Sequence, residues 1–122
     1  MQLVLDLGAV QVSLDQATPC GLLVNELISN CLKHGFPGGR TGEVRVALAP
    51  VVAAPDAVDA HQWVLSVRDN GVGLSADFET RRTTSLGLQL VSDLALQLGS
   101  TLQVGPGPGA AFTVVFTSQI GL

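Results

Sequence analysis

Asn25-Glu26-Leu27-Ile28-Ser29-Asn30-Cys31-Leu32-Lys33-His34 carries two stripes at helical spacing. Leu27, Ile28 and Cys31, continued upstream by Cys20, Leu23 and Val24, gather on one face. Glu26, Asn30 and Lys33 follow i, i+4, i+7 and, with His34, line another. The segment predicts an amphipathic helix that buries its apolar face and presents a carboxylate, an amide and an ammonium along a narrow strip. Thr18-Pro19 offers a cap and a first-turn proline. Gly35 offers a left-handed stop, so the helix is expected from Thr18 to His34.

Upstream, Leu3 to Leu5 and Val10 to Leu14 read as two short strands turning at Asp6-Leu7-Gly8. Downstream, Phe36 to Gly42 is a loop by composition. Glu43 to Leu48 and Gln62 to Val67 alternate as strands do, joined by an Ala-, Pro- and Asp-rich connection from Ala49 to Ala60. Ser75 to Ser85 reads as a loop and Leu86 to Leu98 as an amphipathic helix stopped by Gly99. Thr101 to Val104 and Ala111 to Thr117 form a hairpin around Gly105-Pro106-Gly107-Pro108-Gly109. The order β-β-α-β-β-α-β-β, with the helices grouped on one face of a mixed sheet, is a two-layer α/β sandwich. Its 122 residues suffice for one domain with a single core.

Composition narrows the chemistry. Hydrophobic residues make up 47% and charged residues 13%, which supports a packed globule, and the net charge is −4. Six scattered Lys and Arg make no basic patch, so nucleic acid is not an expected partner. Phosphates would have to be held by backbone amides and a metal. Eleven residues of helix set Cys20 and Cys31 roughly 16 Å apart, beyond the reach of about 7 Å that a disulfide allows. Both read as buried thiols of a cytoplasmic protein. No secretory signal opens the chain, and no apolar run reaches the ~18 residues of a membrane span, so direct membrane contact is not expected.

The second informative block is Asp69-Asn70-Gly71-Val72-Gly73-Leu74. It places an acid at a strand end and runs into paired glycines that let backbone approach a ligand closely. A carboxylate there accepts from the exocyclic amine of adenine, whereas guanine presents a carbonyl and is repelled. In the first block, Glu26 can polarise a nucleophile, Asn30 offers a neutral oxygen to Mg²⁺, and Lys33 reaches a phosphate as a point charge. A third block, Ser85-Leu86-Gly87-Leu88, opens a helix whose free amides suit phosphate. Each block also has a plain structural reading: a solvated helix face, an Asp-Asn-Gly turn, and a capping Ser with a packing Gly. The dinucleotide turn G-x-G-x-x-G and the loop G-x-x-x-x-G-K-[ST] are both missing, so any nucleotide site is of another kind.

Taken in order, the three blocks resemble the N, G1 and G2 boxes of the ATP-binding catalytic domain of sensor histidine kinases. That is the Bergerat-type fold shared with gyrase, the MutL mismatch-repair proteins and the ninety-kilodalton heat-shock chaperones. Lys33-His34-Gly35-Phe36 and Ser85-Leu86-Gly87-Leu88-Gln89-Leu90-Val91 are similar to the subgroup with the second type of histidine-bearing dimerisation domain. The resemblance spans nearly the whole chain. It implies ATP and Mg²⁺ as ligands, Glu26 as the base polarising the accepting histidine, and Asn30 as the Mg²⁺ ligand. Lys33 and His34 would face phosphates and Asp69 would read adenine. Gly71, Gly73 and Gly87 would form the pocket walls and lid hinge, flanked by Ser85, Leu86 and Leu88. Arg81 and Arg82 fall in the implied lid. The partners would be a histidine-bearing dimerisation domain and a response-regulator receiver domain, in a bacterial two-component system.

Two departures stand out. Such domains usually carry Gly-Thr before the last strand, whereas this chain has Gly109-Ala110-Ala111-Phe112. No two-helix phosphoacceptor precedes Asn25, so the acceptor is expected on another domain, and neither His34 nor His61 is placed to replace it. Two rival functions share the pattern: a serine kinase of the anti-sigma-factor type, and an ATP-sensing module without catalysis.

Overall fold

The computed structural model describes residues 1–8, 12–51, 62–74, 78, 80, 84–105 and 108–118. Among them run β1 (Gln2–Leu7), α1 (Leu14–His34), β2 (Glu43–Pro50), β3 (Gln62–Asp69), α2 (Leu86–Gln97), β4 (Gln103–Val104) and β5 (Ala111–Thr117). The strands form one mixed sheet in the order β1-β2-β3-β5-β4. β1 lies parallel to β2 and every other neighbour is antiparallel. The α+β sandwich expected from the sequence is therefore the fold, with the second strand as the exception.

That strand is not there. Val12 and Ser13 are not in a strand, Leu14 already belongs to α1, and residues 9–11 lie outside the described part. The reason is a capping box upstream of Thr18-Pro19. Ser13 Oγ accepts from the Gln16 N–H at 3.3 Å, and Gln16 Oε1 accepts from the Ser13 N–H at 3.4 Å. Two donors at the start of the helix are satisfied at once, so α1 begins before the proline. Pro19 sits inside the helix and is buried, although it gives up one main-chain hydrogen bond. Gln16 also donates through Nε2 to the Thr117 carbonyl at 2.7 Å, tying the first turn of α1 to the end of β5. Ser13→Ala is expected to destabilise the chain by about 1 kcal/mol, read as a lower urea midpoint at unchanged slope.

Gly35 does not stop α1 in the left-handed region. Its φ is −82° and ψ −23°, ordinary right-handed values. The left-handed glycines lie elsewhere: Gly38 and Gly39 in the turn after α1, Gly73, and Gly99, which does end α2 as expected. The loop expected from Ser75 to Ser85 is corrected where it can be followed, because Phe78, Thr80 and Thr84 are helical. Thr84 Oγ1 donates to the Thr80 carbonyl at 3.2 Å. Phe78 is buried, with its ring centroid 6.1 Å from that of Phe112. That apolar anchor supplies what the polar residues around it did not suggest. The expected hairpin between residues 101 and 117 is β4 paired with β5. Most of the Ala- and Pro-rich connection, at 52–60, lies outside the described residues.

The core fills the space between sheet and helices. Leu23, Leu27 and Cys31 of α1 and Leu88, Val91 and Leu94 of α2 meet Val44, Val46, Leu65, Val67, Phe112 and Val114 of the strands. Alternation along β5 buries Phe112, Val114 and Phe116 and turns Val115 and Thr117 outward. Burial of this stripe, more than helix propensity, holds α1 and α2 on the sheet. Among the described helices none is long and apolar enough to cross a membrane.

Candidate functional site

β3 ends at Asp69 and delivers its carboxylate to the point where the end of α1, the turn after β3 and the start of β5 converge. Oδ1 accepts two backbone N–H groups, from Gly71 at 3.0 Å and from Ala110 at 3.0 Å. The Asp69 N–H donates in turn to the Ala110 carbonyl at 3.0 Å. Charge-assisted bonds of this kind fix a carboxylate firmly. Oδ2 is buried and accepts from no N–H or O–H group, with the Cys31 thiol the neighbouring donor at this carboxylate. An ionised oxygen left so is costly unless something else completes it.

Glycines crowd this carboxylate. A Cβ on Gly71 would overlap the carbonyl of Gly35, and one on Gly109 would overlap the carbonyl of Asp69. Gly73 combines a φ of +86° with a Cβ position 2.7 Å from the Pro108 carbonyl, so no L side chain suits it. The Val72 N–H donates to the Gly35 carbonyl at 2.8 Å, locking the turn onto the end of α1. Asn70 continues the clamp: its Oδ1 accepts from the Glu43 N–H at 2.8 Å, and its own N–H donates to the Glu43 carbonyl at 3.2 Å. The turn reading and the binding reading of Asp69-Asn70-Gly71 thus coexist, with Asn70 as the structural part.

Cys31 lies under the same carboxylate. Burial first, then hydrogen bonding to the Asp69 carboxylate and its charge, push its thiol far above the ordinary value of 9.0. A raised thiol pKa favours the neutral form, so the associated stability is fully present below 9.0 and is lost as pH rises above it. Cys31→Ala is expected to flatten that alkaline decline. In the native chain at about pH 8, Cys31 is expected to resist a disulfide-exchange reagent that titrates it after denaturation.

At the other end of the strip, Glu26 is half-buried and approaches α2. A Cβ on Gly87 would stand 3.0 Å from Glu26 Oε2. Ser85 caps α2, its Oγ accepting from the Leu88 N–H at 3.4 Å. Leu88 is core, whereas Leu86 is exposed. Asn30 is half-buried, and Lys33 and His34 are exposed in the last turn of α1. The structure therefore brings Glu26 to Ser85-Leu86-Gly87-Leu88, and joins Asp69, Gly71 and Gly73 to the end of α1. Arg81, Arg82 and His61 lie outside the described residues. Sequence reasoning misread Gly35 and missed the Ala110 N–H. The first looked like a cap, and the second is a backbone group that no side-chain pattern signals.

A mixed five-stranded sheet packed against two helices, with Asp69 at the end of α1 and the start of α2 beside Glu26, defines the class. The chain belongs to the Histidine kinase-, DNA gyrase B-, and HSP90-like ATPase family, whose description matches residues 15–120. It is a catalytic domain of the histidine kinase type, in keeping with the resemblance carried by the three blocks. Blue-light-activated histidine kinase 2 of Erythrobacter litoralis is 30% identical over 98 residues, which are 80% of this chain and 26% of that protein. Sensor histidine kinase PdtaS of Mycobacterium tuberculosis is 32% identical over 91 residues, 73% of this chain and 16% of that protein. The histidine kinase domain from the Erythrobacter litoralis EL346 blue-light activated histidine kinase superimposes with a TM-score of 0.81 at 25% identity, over 96% of this chain and 51% of that one. The chain thus spans about a quarter or less of the curated relatives it matches.

Proposed function

We propose that this chain binds Mg-ATP and donates the γ-phosphoryl group to a histidine on a separate dimerisation domain of a sensor histidine kinase. The observation that carries the reading is Asp69: one carboxylate oxygen held by two amides, the other buried beside glycines and the Cys31 thiol with no N–H or O–H donor on it. That arrangement fits a purine whose exocyclic amine donates to Oδ2. The residues present therefore suit the ligand that the family implies.

The roles follow from placement. Asp69 orients the base, and Gly71, Gly73 and Gly109 form the wall beside it, their lack of side chains letting the backbone pack closely around that carboxylate. The start of α2 from Ser85 to Leu88 faces phosphate oxygens with the amides of Leu86 and Gly87, the Leu88 N–H being taken by the Ser85 cap. Asn30 would supply a neutral oxygen to Mg²⁺, a hard cation that prefers oxygen ligands. The metal, when bound, neutralises phosphate charge. Lys33 and His34 add positive charge at the exposed end of α1. Glu26 takes the proton of the accepting imidazole, since its carboxylate sits at the phosphate-facing start of α2. Phosphoryl transfer demands mainly such positioning and charge neutralisation. A response-regulator receiver domain is the further partner, and the cytoplasm the compartment that supplies ATP.

The direct test is transfer from γ-labelled ATP to a cognate dimerisation domain. Acid-labile label on that domain, abolished by Glu26→Ala with nucleotide affinity retained, is the expected result. Acid-stable label on a partner hydroxyl would instead establish a serine kinase. Binding without any transfer would leave an ATP-sensing module.

A further inference from the structure

The backbone of Gly35 does not need glycine, yet its surroundings do. At φ −82° and ψ −23° any residue is at ease. A Cβ there would lie 2.8 Å from the Cys31 carbonyl and 2.9 Å from Asp69 Oδ2. Neither neighbour can move cheaply. The Cys31 carbonyl is held by the N–H of Gly35 itself at 2.8 Å. The Asp69 carboxylate is pinned through Oδ1 by the Gly71 and Ala110 amides. Gly35 cannot withdraw either, because its carbonyl accepts from Val72 and its backbone packs directly on Gly71.

We propose that Gly35 is a specificity-determining residue: by carrying no side chain it lets the Asp69 carboxylate keep the orientation in which Oδ2 selects a purine bearing an exocyclic amine. The inference rests on the adenine-nucleotide reading above and extends it to a position outside the three motif cores. A methyl group at residue 35 turns the carboxylate off its two amides or wedges α1 away from the turn. In both cases recognition of the amine fails before general affinity for a nucleotide.

The test compares ATP with purine riboside triphosphate, which lacks the 6-amino group, by calorimetry on this chain. The unmodified chain is expected to prefer ATP by about tenfold or more, the range for a hydrogen bond to a charged group. Gly35→Ala is expected to bind the two nucleotides alike, with affinity for the deamino analogue within about twofold of the unmodified chain. Gly21→Ala, whose Cβ would meet nothing within 4 Å, is expected to keep the preference. Because Gly35→Ala can also fail to fold, the amide resonance of Gly35 in the unmodified chain gives a second reading. It is expected to shift more with ATP than with the analogue. An ATP preference surviving in Gly35→Ala, an equal loss of both nucleotides by a folded variant, or equal shifts at Gly35 would overturn the proposal. An unmodified chain with no preference between the two would instead overturn the adenine reading of Asp69.

Discussion

Asp69→Asn is expected to lower ATP affinity about 100-fold while leaving the chain folded. The effect comes from donor pattern rather than shape. An asparagine can keep its Oδ1 on the Gly71 and Ala110 amides, which hold the present carboxylate at 3.0 Å each. Its amide nitrogen then stands where Oδ2 stands now, a donor facing the donor amine of adenine. Loss of a bond to a charged acceptor, together with two donors in apposition, exceeds what the neutral substitution would otherwise cost. The same nitrogen suits a purine with a 6-oxo group. Inosine triphosphate should therefore gain affinity in the variant as ATP loses it. Calorimetry with both nucleotides decides, and unchanged ATP affinity would remove Asp69 from the site.

Phe112→Ala is expected to destabilise the chain by about 3–5 kcal/mol, a large share of the 5–15 kcal/mol typical of a whole domain. Phe112 is fully buried on β5, paired in register with Val67 of β3. Its ring also meets Phe78, which anchors the helical residues before α2. Removing it opens a cavity that the closely packed strands cannot collapse to fill. Phe112 follows Ala110 and Ala111 along the chain, so the strand that carries the Asp69 clamp loosens with it. Nucleotide affinity should fall in parallel with the urea midpoint. Val115→Ala, on the outer face of the same strand, is expected to change stability far less. Equal effects of the two substitutions would mean that β5 does not face the core as described.

Local pattern proved legible where one side chain decides one element. Periodicity placed α2 and the β4–β5 hairpin, and Gly99 marked the helix end because only glycine enters that φ at no steric cost. It was misleading where two local signals competed. Thr18-Pro19 and Ser13-Gln16 both resemble helix starts, and the reciprocal hydrogen bonds of the latter outweigh a favourable proline. Phe78 falls in the stretch that reads as a loop, because the ring it packs on lies far away in sequence, in β5. At Gly35 the residue type was noticed and its cause mistaken. Crowding around Asp69 Oδ2 requires the glycine, and no dihedral does.

Residue types and their spacing along the chain determined the elements, the family and the candidate donors and acceptors, because periodicity and motif order are properties of neighbours in sequence. The geometry of the site came from tertiary structure alone. Asp69 is held by the N–H of a residue 41 positions away and crowded by the backbone of Gly35 and Gly109. Every residue except proline owns the same N–H and C=O, so no side-chain pattern can say which of them will be folded against a given carboxylate.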